Sequence, residues 1–274
     1  MKNISRWGLW MGIFLMAALP SVEAKISSLS PRAYQERLAT KLHEIDHSVA
    51  LQNGWNGVTP SGSDSDSSFL LIPYQVTYGV LEKLEVGCAW GLKYVGRKDK
   101  SNQFGLNDLV ISGKYRFFDP NRTERTPGLD AEFGFSFPTA SFDKGLGTGA
   151  FGVIFDWGLI LPLDPARMQV GMGYRLNTEN SDDVRLGHVF SYNMGVSFPL
   201  ERVHKDFSVL GELKGFNHSK KKFKGESTGS SSDELYLAPG AAFSLPRGLR
   251  ALGQILIGLT PDSSDAGFSL QLQF

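Results

Sequence analysis

The residues most able to do chemistry in this sequence are charged side chains that recur at every second position of oily segments. Twelve of them fall on the polar parity: Lys93, Asp108, Lys114, Arg116, Asp130, Glu132, Asp156, Arg175, Glu212, Lys214, Glu234 and Arg250. The set holds six acids and six bases. A pore lined by one sign of charge selects ions of the other sign, whereas a mixed lining does not. The same set can instead form cross-strand salt bridges that fill a narrow interior and fix strand register.

Three smaller constellations also carry chemistry. His43-Glu44-Ile45-Asp46-His47 reads H-E-x-x-H, which on a helix puts two imidazoles on one face with a glutamate as general base. A zinc hydrolase needs a third ligand and a packed domain around its cleft, and only roughly 20 mature residues precede the strands here. The match is therefore read as chance or as a weak surface site, and neither metal nor cofactor is expected. His188 is expected on the lipid-facing side near the outer rim, where a barrel hydrolase would place a Ser/His pair, but Ser191 points inward. Lys220, Lys221, Lys222 and Lys224 crowd one late loop. They read either as a solvated loop or as a contact for the phosphates of lipopolysaccharide, by the attraction that draws polybasic segments to anionic lipid.

The elements that must position these groups are strands. Phe268, Leu270, Leu272 and Phe274 alternate with Ser269, Gln271 and Gln273, as in a strand with one face in lipid and one in a lumen. The same period of two runs through 69–80, 84–94, 109–117, 129–137, 151–161, 167–176, 190–198, 207–214, 235–245 and 250–259. With a first strand near 48–54, this predicts an all-β fold: a closed antiparallel transmembrane barrel of about 12 strands. In hydrocarbon every backbone N–H and C=O must be paired, so an open sheet edge is excluded. Pro239, inside a predicted strand, calls for a bulge or a displaced boundary.

The connections sort by length. Those at 55–68, 95–106, 139–148, 177–186, 218–232 and 261–265 are mostly long and rich in Ser, Asp and Gly. Those at 81–82, 119–127, 162–166, 200–205 and 246–248 are shorter. Long loops on one side and short turns on the other are how outer-membrane barrels are built. Trp90, Trp157, Tyr94 and Tyr192 read as interfacial girdle residues, and Cys88 as an inert lipid-facing side chain.

Composition agrees. The 274 residues carry 28 basic and 28 acidic side chains, which gives no basic surplus for nucleic acid. A single cysteine excludes an intramolecular disulfide framework. Residues 1–24 read as a secretory signal, with Lys2 and Arg6 before the apolar run Trp7 to Leu19 and Ala24 at the cut. Residues 25–47 read as a periplasmic helix that plugs or caps the barrel, with Pro31 at its first turn. Residues 48–274 form the barrel, and Phe274 is the expected handle for the barrel-assembly machinery.

Two segments resemble a known family. Gly105-Leu106-Asn107-Asp108-Leu109, followed by Lys114-Tyr115-Arg116-Phe117, resembles the G-x-G-D…K-Y-R-F segment of the outer-membrane family named for the "MetA-pathway of phenol degradation". Phe135-Ser136-Phe137-Pro138-Thr139-Ala140, followed by Gly145-Leu146-Gly147-Thr148-Gly149, resembles its F-x-x-P-T-G…G-x-G-S/T-G segment. Asn107 and Ala140 stand where that family usually has glycine. The resemblance implies an outer-membrane channel or transporter for small molecules, hydrophobic or aromatic ones included. The alternatives are a lipid hydrolase built on His188 or the His43/His47 pair, and a structural or adhesive barrel with a filled lumen.

Overall fold

The computed structural model describes residues 45–55, 67–97, 100–121, 123–201, 203–204, 206–228, 230–245, 249–263 and 266–274. Their regular structure is entirely β. The strands are β1 Ile45–Trp55, β2 Ser67–Leu81, β3 Leu84–Arg97, β4 Lys100–Leu106, β5 Leu109–Phe118, β6 Gly128–Phe137, β7 Gly152–Leu163 and β8 Ala166–Asn177. They continue as β9 Val184–Arg185, β10 Val189–Pro199, β11 Phe207–His218, β12 Lys221–Phe223, β13 Glu226–Thr228, β14 Ser232–Ser244, β15 Arg250–Gly258 and β16 Ala266–Gln273.

All long strands join one antiparallel sheet in the order β2-β1-β16-β15-β14-β11-β10-β8-β7-β6-β5-β3-β4. β2 also bonds to β3, so the succession of pairings returns to its start. β4 prolongs β5. Leu92 pairs with Leu106 and Ala89 with Val110, so β4–β5 carries one residue more than β3 between these pairs, a bulge at Asn107 and Asp108. A separate small sheet, β13-β12-β9, stands in the loops.

Two expectations change. The helix expected over 25–47 ends in strand: Asp46 pairs with Thr77 and His47 with Val76. The backbone at 45–47 is strand, not the helix that an H-E-x-x-H site needs. Residues 1–44, which hold the signal segment 1–24, the rest of the expected helix, His43 and Glu44, lie outside the described residues. Pro239 causes no slip: it pairs with Gly211, and the β14–β15 register is the same at Leu237↔Ile257 and Gly240↔Gln254. The imide nitrogen that cannot donate lies where β14–β15 pairing is skipped, so the loss stays local.

The two faces of the sheet are inverted relative to a water-soluble protein. Met172, Ile255 and Trp157 are 54%, 59% and 51% exposed, whereas Glu212, Glu85 and Lys114 are 1%, 5% and 6% exposed. An ionised group leaves water only when it is paired and hydrogen-bonded, so the charged face must be wrapped by the protein itself. An exposed apolar face of this extent is matched by lipid. Its aromatics pack on one another, with Phe133 and Phe155 centroids 5.0 Å apart and Tyr74 and Trp90 also 5.0 Å apart.

Candidate functional site

The polar face gathers the predicted charges into groups. Glu85 on β3 and Lys114 on β5 are direct cross-strand partners, with Oε1 and Nζ 2.7 Å apart. Lys114 in turn faces Glu132, Arg116 faces Asp130, and Glu132 faces Asp156. Opposite charges at directly opposed positions, as in Lys114↔Glu132 and Arg116↔Asp130, stabilise a sheet, whereas the two acids Glu132 and Asp156 repel and lean on those cations. Arg116 Nη1 also lies 3.7 Å from Asp119 at the short-turn end.

A second group spans β10, β11 and β15. Glu212 Oε1 accepts from Asn193 Nδ2 at 2.9 Å, and its Oε2 accepts from Gln254 Nε2 at 3.0 Å and lies 2.7 Å from Lys214 Nζ. Lys214 also donates to Gln254 Oε1 at 3.1 Å, which closes the network so that each buried polar group has a partner. Glu234 accepts from Tyr236 Oη at 2.9 Å and lies 3.3 Å from His218 Nε2. Arg250, at the short-turn end, pairs across the sheet with Ser244 and Gln273.

The third group pins the loop 138–151. Asp108 accepts from Thr148 N and Thr148 Oγ1, both at 2.7 Å, and from Ala140 N at 3.2 Å. Lys93 Nζ donates to Gly145 O at 2.6 Å. Leu146 is buried against Gly105 of β4, where any side chain would overlap its Cδ1. Gly147 is equally confined, because a Cβ there would collide with the Asp108 carboxylate. Gly145 and Gly149 adopt φ of 70° and 64°, a region glycine enters without steric cost. Below the loop, Arg175 donates to Ser136 Oγ at 2.9 Å and Asn177 Oδ1 at 3.1 Å. The glycine-rich segment is thus an inward latch whose strand-borne receptor is Asp108.

The polar parity of the sequence holds Glu85, between Lys83 and Gly87, and the uncharged partners Asn193, Gln254 and Ser136, but the candidate set leaves them out. It also omits an apolar patch on the polar face, where Val189, Phe216, Tyr236 and Leu256 pack together. The signal was present: Phe216 and Tyr236 share the parity of Glu212 and Glu234.

His188 precedes β10, with its ring centroid 6.2 Å from that of Tyr174. Its Nδ1 accepts from Asn177 N at 3.2 Å, and its backbone N–H donates to Ser219 Oγ at 2.7 Å. The serine hydroxyl therefore meets the main chain of His188, not its imidazole. Burial first, then the nearby positive charges of Arg185 and Lys222, push its pKa below the usual histidine value.

An antiparallel sheet with lipid-facing apolar side chains outside and paired charges within defines the class: a bacterial outer-membrane β-barrel protein. The chain belongs to the family described as "Putative MetA-pathway of phenol degradation", whose model matches residues 46–274. Among solved structures it is similar to an outer membrane channel from Pseudomonas putida F1, with a TM-score of 0.69 at 12% identity over 90% of this chain and 98% of that one. Weaker likenesses include the NanC porin (TM-score 0.48, 9% identity, 82% of this chain and 97% of that one) and the translocator domain of the autotransporter NalP from Neisseria meningitidis (TM-score 0.49, 11% identity, 87% and 88%).

Proposed function

We propose that the chain is a closed twelve-stranded barrel that works as an outer-membrane channel for small molecules, with Asp108, Lys93 and the loop 138–151 forming the constriction. The observation that carries this reading is the enclosed, charge-lined polar face with a loop tied down onto it. The returning succession of strand pairings supports closure. The P. putida protein supports the fold, and its being an outer membrane channel suggests the activity.

The permeant class rests on the family description and on the mixed lining. Charges of both signs line the wall, which favours neither sign of solute, while Phe216 and Tyr236 are packed away with Val189 and Leu256. Small uncharged polar molecules, phenols included, fit this lining and the family description. Passage is passive: side chains replace part of the solute's hydration without holding it tightly. The hydrolase alternative is disfavoured because His188 Nδ1 is engaged by a backbone N–H. The purified chain in a planar bilayer should give stepwise conductance that a phenolic solute reduces; a silent bilayer with correctly folded protein overturns the proposal.

A further inference from the structure

A cavity of about 380 Å³ opens at the long-loop end, lined in part by Arg185, His188, Ser219, Lys220, Lys222 and Ser227. That size falls in the range of small-ligand pockets, roughly 300–1,000 Å³. It is built by the small loop sheet, not by loose side chains. β12 pairs with β13 and with β9, Ser219 N donates to His188 O at 2.9 Å, and Gly187 lies so close to Ser219 O that a Cβ there would overlap it.

Its electrostatics are unbalanced. Lys222 on β12 stands directly opposite Arg185 on β9, and like charges in that position repel. Lys220 adds a third cation to the wall. The side chains of Phe223 and Glu226 alternate away from this face, because Lys222 pairs with Ser227 and Phe223 with Glu226. Glu179 bridges to Arg185 through the backbone. Among the described residues no carboxylate makes a salt bridge with Arg185, Lys220 or Lys222. Three cations gathered without a salt-bridged carboxylate, beside serine hydroxyls, suit an anionic group.

The location names the source of that anion. His188 in the cavity wall sits over Tyr174, which is exposed on the apolar face. The cavity therefore begins where the lipid-facing band ends, on the side of the long loops. We propose that it binds the phosphorylated sugar headgroup of an outer-leaflet glycolipid, with Arg185, Lys220 and Lys222 on the phosphate and Ser219 and Ser227 on the sugar. The site is separate from the lumen and does not depend on the channel reading.

The test uses the refolded full chain in detergent, titrated with diphosphorylated lipid A, with enzymatically dephosphorylated lipid A and with glucosamine 6-phosphate, and read by native mass spectrometry. Diphosphorylated lipid A should bind at least tenfold tighter than either other probe. The pair R185Q/K222Q should lose roughly 10- to 30-fold, at the strength expected for each cation near an anionic surface, while K144Q on another loop binds as wild type. Heat-modifiable gel migration certifies that the variants are folded. Equal binding of dephosphorylated lipid A, or no loss in R185Q/K222Q, overturns the proposal. Equal affinity for the soluble phosphosugar overturns the lipid source.

Discussion

Removing the carboxylate of Asp108 tests the constriction directly. Asp108→Ala withdraws one acceptor from three donors, two of them at 2.7 Å and one at 3.2 Å. Hydrogen bonds to an ionised acceptor contribute about 1.5–3 kcal/mol each. The loss is partly compensated, since the single Thr148 hydroxyl proton can turn to Ala150 O, 2.9 Å away, and water can reach the site. A net loss of about 2 kcal/mol in loop docking is expected, which raises the undocked population roughly 30-fold. Lys144 at the exposed loop tip reports this state, because trypsin cleaves there only when the loop is free to enter the protease. Where reclosing is fast, cleavage tracks that population, so Asp108→Ala should be cut about 30-fold faster and should conduct more. Thr148→Val keeps the backbone donor and loses only the hydroxyl, for an increase of about fivefold. Cleavage and conductance both at wild-type levels in folded Asp108→Ala would refute the latch.

Lys214→Met leaves Glu212, 1% exposed, without its cation, and should destabilise the barrel by about 3–5 kcal/mol in urea unfolding from lipid vesicles. The double variant Glu212→Gln/Lys214→Met should recover most of that loss; equal instability of the two would show that the pair does not act as a unit. Phe133→Arg, at the middle of β6 on the exposed apolar face, should cost about 2–4 kcal/mol when folding in bilayers, and no loss would contradict the assignment of that face to lipid. Acidification should loosen the loop sheet. The folded pKa of His188 lies below its ordinary value, so neutral imidazole is the form the fold favours. Its contribution is complete above the unfolded pKa of about 6.5 and is lost as pH falls below that toward the depressed folded value. Amide protection at 219–228, corrected for the intrinsic pH dependence of exchange, should fall between neutral and mildly acidic pH in wild type, and less in His188→Phe.

The architecture was legible in the sequence because a period of two is a direct record of a two-sided environment. Glu132, Phe133, Gly134 and Phe135 already state which side is which, and the pairing Lys114↔Glu132 then follows from register. Where the reading failed, the deciding information was not periodic. Asp46 and His47 satisfy a helical motif on paper, yet their backbone is claimed by β2; tertiary pairing overrides local propensity. Loop structure was equally hidden. The segment 95–106 reads as a polar loop but continues the sheet as β4, and Lys222 and Arg185 meet only because β12 and β9 happen to pair. Sequence separation conceals such contacts, and no alternation announces them.

The inverted polarity also accounts for how the inner face is lined. A soluble core can exclude water with aliphatic side chains alone, but here the outside already consumes the apolar parity. The inner positions fall to residues that must satisfy one another. That makes each charge dependent on its neighbour: Glu212 has Asn193, Lys214 and Gln254, and Asp108 has a loop. The two arrangements serve different ends. Partners fixed on adjacent strands, such as Glu85 and Lys114, hold register and cannot separate without breaking the sheet. A carboxylate whose donors lie on a loop can release them while the wall stays intact. Loops open locally at lower free energy than paired strands, so any gating of this barrel belongs at Asp108, and substitutions in the strand-to-strand pairs should alter stability before they alter passage.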